Sequence, residues 1–314
     1  MPETRETIQF IADRGDARSR LDRILVRRLT SLSRFSRSRA QEWIAAGAVT
    51  VDGIRAGRAA MRVPEGAAIG VSVPLSAHKT RPQSEAVPLT VLYEDAALLV
   101  VNKPAGMIVH PSYKRTSGTL LNAVLWHLRS RDNPRPGIVT RLDKDTSGLV
   151  LVALTAEIHA ALQRDAAPHR VRKEYAAIVR GWPRPPKGRI RHALARDPLD
   201  RRRMVVAADG AASETRYELL ERRESVSGRE SLVRCELVTG RTHQIRVHLA
   251  AEGWPIVGDP TYGHGDDRIA RQALHAWRLS FTHPATRQQV DVEAPLPPDM
   301  LALLGSSAGR AELA

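Results

Sequence analysis

Leu149–Leu154 is a run of six apolar residues that follows directly on Gly137–Gly148, a polar segment rich in Gly, Thr, Asp and Ser. An apolar run this short, entered from turn residues, predicts a buried β-strand over Gly148–Leu154, because a helix needs about 10–12 residues to form and pack. Similar runs at Ala97–Val101, Tyr175–Val179 and Leu232–Val238 predict further strands, whereas Thr119–Arg129 and Thr155–Ala166 carry helical spacing behind a threonine cap. Strands and helices intermix without a βαβ rhythm. The expected architecture is therefore α+β, with a mixed, mainly antiparallel β-sheet over residues 89–300 and a C-terminal tail over 301–314. Pro183–Pro186 reads as a loop, and Arg201–Arg203 as the tip of a solvated hairpin.

A chain of 314 residues is long enough for a second domain. Leu21, Leu25 and Leu29 recur every four residues within Arg18–Leu29, which predicts a helix with a basic outer face. Ser36 is a candidate N-cap for a second helix with Ala40, Trp43, Ile44 and Ala45 on its apolar side and Gly47 as its stop. Ala48–Val51 then leads to an Asp52–Gly53 hairpin turn, and a short strand ends at Gly70–Val73. Residues 15–76 are thus expected to form a small α/β unit, joined by a linker over 77–88.

Charge narrows the partner. The chain holds 48 Lys+Arg against 34 Asp+Glu, for a formal charge of +14, and 42 of the 48 are arginine. Guanidinium groups grip phosphate bidentately and stack on bases, so a nucleic-acid partner fits, although a GC-rich genome would also favour arginine over lysine. No stretch approaches the ~18 apolar residues of a membrane helix, and Met1–Gln9 is unlike a signal peptide, so a cytoplasmic protein without a membrane partner is expected. The single cysteine, Cys235, excludes internal disulfides and multi-cysteine metal sites. No G-x-G-x-x-G, G-x-x-x-x-G-K-[ST] or H-E-x-x-H occurs, which points to chemistry with neither a cofactor nor a metal.

Three segments carry candidate chemistry. In the first, Asp143, Asp145, Ser147 and Gly148 imitate half of a calcium loop, but its twelfth position is Leu154, where a bidentate glutamate would be needed. Asp143 is then either a chemical group or an organiser of the turn. In the second, Val238–Leu249, His243 and His248 are five residues apart and would diverge by about 140° on a helix, which argues against a metal pair. Arg246 lies among Ile245, Val247 and Leu249, so it is expected to be partly buried and to need a carboxylate. The third comprises Val101–Pro111 and Arg172–Ala176, where Tyr175 is either a core-edge aromatic or a platform for a stacked base.

In this order and spacing, the segments resemble the RluA-type family of RNA pseudouridine synthases across most of residues 89–300. The family's His-Arg-Leu-Asp-x-x-Thr-Ser-Gly stands here as Thr140-Arg-Leu-Asp-Lys-Asp-Thr-Ser-Gly148, with Thr140 in place of the usual histidine. Gly258–Gly263 and Leu274–Ala276 are further landmarks, and residues 19–53 resemble the RNA-binding module of small-subunit ribosomal protein S-four. The resemblance implies Asp143 as nucleophile, Arg246 as its partner and Tyr175 as the base-stacking residue. It implies Arg141 as the side chain that enters the RNA stack, with Thr140 beside it, and Arg20, Arg23, Arg37, Arg39 and Gln41 as RNA contacts. The expected enzyme is a cofactor-free, metal-free monomer acting on ribosomal RNA. A non-catalytic RNA-binding or ribosome-assembly factor retaining the fold is the alternative, and whether Asp143 attacks sugar or base stays open.

Overall fold

A computed structural model describes residues 5–29, 35–74, 82–111, 115–132, 134–164, 171–225 and 228–305, in two compact units, Met1–Arg81 and Pro82–Ala314.

The first unit contains β1 (Arg5–Ile11), α1 (Leu21–Arg28), α2 (Arg37–Ala45), β2 (Val49–Val51), β3 (Ile54–Arg55) and β4 (Ala68–Pro74). Its sheet runs β1-β4-β2-β3, all antiparallel. The leucine repeat of α1 is wholly inside, where Leu21, Leu25 and Leu29 meet Ala40 and Ile44 of α2 and Val49, Ile69 and Val71 of the sheet. Ser36 caps α2 by accepting from the Arg39 amide at 3.3 Å. Asp52 and Gly53 both have positive φ, 49° and 79°, as the tight β2–β3 hairpin requires. The strand missing from the sequence reading is β1. It precedes residue 15; a seven-residue backbone ladder joins it to β4, and of its side chains only Ile8 and Phe10 are partly buried against the core.

The second unit follows the order β5 (Thr90–Glu94), β6 (Leu98–Lys103), α3 (Leu120–His127), β7 (Gly137–Ile138), β8 (Ser147–Ala153), α4 (Ala156–Arg164), β9 (Val171–Arg180), β10 (Lys187–Ile190), β11 (Leu194–Arg196), β12 (Met204–Val206), β13 (Thr215–Ser225), β14 (Gly228–Leu237), α5 (Gln244–Ala251), β15 (Leu274–Thr282), β16 (Gln289–Glu293) and α6 (Pro298–Leu304). One large sheet runs β10-β13-β14-β9-β15-β8-β6-β5, with β16 on β15 and β7 on β8. Among the described strands only β15 and β8 pair in parallel. The fold is α+β and mostly antiparallel.

From Leu149 onward the β8 strand is apolar because both its faces are covered. Leu149, Leu151 and Ala153 pack with Leu162, Leu279 and Phe281, while Val150 and Val152 pack with Leu120, Val124 and Leu128. Thr119 caps α3 in a reciprocal box with Asn122. Two boundaries move. Residues 82–88 are not a free linker, since the Asn122 side chain donates to the Gln83 carbonyl at 2.7 Å and the Glu85 carboxylate accepts from the Gly118 amide at 2.6 Å; residues 77–81 lie outside the described residues. The tail is partly core, because Met300, Leu303 and Leu304 of α6 pack into the cluster that contains Tyr175 and Trp277.

Candidate active site

Asp143 occupies the turn between β7 and β8, and its carbonyl accepts from the Thr146 amide at 3.2 Å. The turn is fastened from several sides. The Arg271 guanidinium donates to the Asp145 carbonyl at 3.2 Å, and the Gln272 amide donates to the Thr146 hydroxyl at 3.1 Å. Lys103, fully buried at the end of β6, donates to the carbonyls of Pro104, Met107 and Lys144 at 2.7, 2.9 and 3.0 Å. Burial pushes the Lys103 ammonium down to about 7, yet three carbonyl acceptors match the three N–H donors that only its charged form carries. Gly148 closes the turn onto the sheet. Its φ is 112°, and a Cβ there would lie 2.2 Å from the Ala276 carbonyl oxygen, so no larger residue fits against β15.

Arg246 reaches this turn from α5. It is 6% exposed and satisfies two carboxylates at once. Nε and Nη2 form a fork on Asp259 at 2.7 and 2.9 Å, and Nη1 donates to Asp143 Oδ2 at 3.1 Å. Burial pushes the Asp259 carboxyl up, but the Arg246 bonds and charge, with the Thr261 and Tyr262 amides, outweigh it and hold Asp259 below the ordinary carboxylate value. Tyr262 lies beneath the guanidinium, with its ring centroid 5.1 Å from the Arg246 carbon. His243, just before α5, bridges the remaining gap: Nδ1 is 2.8 Å from the Tyr262 hydroxyl and Nε2 3.8 Å from Asp143 Oδ2.

These groups border a cavity of about 490 Å³ whose lining includes Asp143, Arg246, His243, Tyr175, Arg141 and Leu142. Tyr175, on β9, is 5% exposed. Burial, with the Asp143 charge second, pushes its phenol well above the usual tyrosine range, so the ring stays neutral. Arg141 is exposed at the cavity edge. Thr140, expected beside it as an RNA contact, also borders the cavity; it is 8% exposed, and its hydroxyl accepts from the Leu151 amide at 2.9 Å, which fastens it to β8. His248 points away into a buried cluster with Ser213 and Thr215, so the two histidines of this segment do not converge.

The residues expected to meet RNA in the first unit divide into two kinds. Arg20 forks onto Asp22 with two 3.1 Å bonds, and Arg37 and Gln41 add bonds of 2.8 and 3.0 Å to the same buried carboxylate. Their hydrogen bonds hold Asp22 far below the usual carboxylate range, the Arg20 bond contributing most. Arg23 is exposed, and Arg39 lies over the Trp43 ring at 5.7 Å. A uniformly free basic face is therefore not what the helices present: Arg20, Arg37 and Gln41 also tie α1 to α2 through Asp22.

Sequence reasoning passed over Asp259, Tyr262, His243 and Lys103 as site residues. Asp259 and Tyr262 stood within the Gly258–Gly263 landmark, but nothing local reveals that Arg246, thirteen residues earlier, aims its fork at Asp259.

Residues 97–251 match the RNA pseudouridylate synthase family, and residues 19–69 match the S4 domain. The chain is 41% identical to the ribosomal large subunit pseudouridine synthase D of Nitrosomonas europaea, over 96% of this chain and 88% of that one. It is 38% identical to an uncharacterized RNA pseudouridine synthase of Bacillus subtilis, over 95% of this chain and 97% of that one. Among solved structures, human RNA pseudouridylate synthase domain containing 1 superposes with a TM-score of 0.57 at 30% identity, covering 70% of this chain and 89% of that one.

Proposed function

The chain belongs to the RNA pseudouridylate synthase family, and from that premise we propose that it isomerises uridines of large-subunit ribosomal RNA with Asp143 as its nucleophile. The isomerase activity on RNA follows from the family; the nucleophile and the RNA are the proposal. The observation that carries it is the 3.1 Å bond from Arg246 to Asp143 Oδ2 at the wall of a cavity shared with Tyr175. The ribosomal substrate is supported by the names of the relatives and by the S4 module.

The reaction breaks the bond between ribose C1′ and uracil N1, forms one from C1′ to C5, removes the C5 proton and places a proton on N1. It is redox-neutral, and its atoms balance with no added reactant. A carboxylate suits it because an aspartate, with an unperturbed pKa of ~3.9, is ionised at neutral pH without a partner base. Arg246 gives two of its bonds to Asp259 and one to Asp143. That division aims the Asp143 carboxylate while leaving it an oxygen free to react. The neutral Tyr175 ring offers a stacking face, and its raised phenol pKa opposes a phenolate acting as proton acceptor at neutral pH. A paired uridine must flip out of its helix at a cost of a few kcal/mol, and Arg141, exposed and bordering the cavity, would occupy the vacated stack.

All of these groups come from one chain, so a monomer suffices, and among the described residues no helix is long and apolar enough to cross a membrane. A cytoplasmic enzyme meeting ribosomal RNA is consistent with both. Asp143→Asn should abolish pseudouridine formation while RNA affinity stays within about twofold, since the change is isosteric and distant in kind from phosphate contacts. Pseudouridine mapping and a gel-shift titration measure the two quantities, and a modifying Asn variant would remove Asp143 from the mechanism.

A further inference from the structure

His243 combines an uncommon backbone conformation with ring neighbours on both nitrogens. Its φ of 54° lies in the left-handed region, which is uncommon for a residue with a side chain. Its ring hydrogen-bonding can be followed atom by atom. The Met204 amide donates to the Tyr262 hydroxyl oxygen at 2.8 Å, so the phenol's one hydrogen is free to point elsewhere, and His243 Nδ1 stands 2.8 Å away. That hydrogen can be donated to Nδ1, an arrangement that puts the ring proton on Nε2. Nε2 faces Asp143 Oδ2 at 3.8 Å, outside hydrogen-bond range, but the aspartate χ2 torsion is soft and a small rotation closes the gap. The Arg246 bond falls on the same oxygen, Oδ2.

We propose that His243, fixed as its Nε2–H tautomer by Tyr262, is a positioning residue that works with Arg246 to hold Oδ2 and present Oδ1 of Asp143 to the uridine. The role rests on Asp143 being the nucleophile. Burial pushes the imidazole below the ordinary histidine value, with Asp143 and Asp259 opposing and Arg246 and Arg196 adding to the fall, so the neutral tautomer persists at neutral pH. Tyr262 also couples this tautomer to the β11–β12 hairpin, because Met204 opens β12 and Arg203 lies 5.6 Å over the same Tyr262 ring.

The test compares His243→Leu, His243→Gln and Tyr262→Phe in the full chain, on an RNA that the wild type modifies. Glutamine can place an amide N–H where Nε2 stood; leucine cannot. The Leu variant should lose about 10-fold in single-turnover rate with RNA affinity unchanged, and Gln should recover to within about threefold, as expected when a misaimed group is re-aimed. In nitrogen NMR of ¹⁵N-histidine protein, the His243 ring should show Nε2–H in the wild type and a tautomer mixture in Tyr262→Phe, a signal that loss of mere packing would not produce. A wild-type rate in the Leu variant, no recovery in Gln, or an Nδ1–H tautomer would each overturn the proposal. Asp143→Asn, run alongside, separates the failures: an active Asn variant sinks the nucleophile itself, whereas an inactive one beside a fully active Leu variant sinks only the part given to His243.

Discussion

Asp259 shares no hydrogen bond with Asp143 among the described residues, yet its replacement should be among the most damaging in the molecule. Its carboxylate is fully buried, and it takes two of the three bonds that Arg246 gives to carboxylates. In Asp259→Asn the shape is kept, but one charged acceptor becomes an amide that turns N–H groups toward a guanidinium. Hydrogen bonds to charged groups are worth about 1.5–3 kcal/mol each, and one neutral bond to the Asn oxygen can remain, so the expected loss is about 3 kcal/mol. That agrees with the ~3–5 kcal/mol cost of breaking a buried pair from one side. For a unit of this size the melting temperature should fall by roughly 6–12 °C. Arg246→Met should cost a similar amount, because it strands the buried Asp259 charge, and the double variant should cost clearly less than the sum of the two. Urea or thermal melts of the four proteins close the cycle. The pH dependence has a definite sign. The folded Asp259 pKa lies below its unfolded value, so its stabilisation is present above ~pH 4 and disappears as the pH falls through the folded pKa. The gap between wild type and Asp259→Asn should therefore narrow in acid. A melting temperature within 1 °C of wild type at neutral pH, or strictly additive singles, would refute the claim that Asp259 anchors Arg246.

Four further substitutions probe the rest of the molecule. Lys103→Met would leave three carbonyls without their shared donor and should destabilise the second unit by about 3 kcal/mol, measured by melting, with activity falling as the Lys144 anchor beside Asp143 is lost. Gly148→Ala should give little folded protein, because its Cβ would enter the Ala276 backbone at a residue already at φ 112°; a soluble variant with wild-type circular dichroism and melting would contradict that. In the first unit, Asp22→Asn should destabilise by about 2 kcal/mol, seen as faster amide exchange along α1. Arg23→Ala should leave that exchange unchanged while reducing the salt slope of RNA binding by about one, the value for one lost phosphate contact.

The parts of the fold legible in the sequence are those whose cause is local. Leu149–Leu154 announces a buried strand, Ser36 stands three residues before the amide it caps, and Asp52–Gly53 supplies the two positive φ angles of its hairpin. Strand β1 was not legible because only Ile8 and Phe10 turn partly into the core, too short an alternation to mark a strand, and the ladder to β4 leaves no trace in side-chain pattern. Lys103 was not legible because lysine ordinarily marks a surface; only three carbonyls from two separate loops make its burial tolerable.

The site shows the same division at finer scale. That Arg246 needs a carboxylate follows from its apolar neighbours, and Asp143 is indeed within 3.1 Å. That it holds two carboxylates does not follow from those neighbours, since the second is supplied by the turn after α5. Thr140 makes the limit concrete. It adjoins Arg141 in the motif, and adjacency suggested a common task on the RNA. Arg141 is exposed, however, whereas Thr140 is nearly buried in the cavity wall and its hydroxyl meets the Leu151 amide. A threonine fits there because it is small and its oxygen can accept that amide. A difference in side chain at position 140 therefore bears both on how firmly the Asp143 turn is fastened to β8 and on the cavity wall beside Arg141.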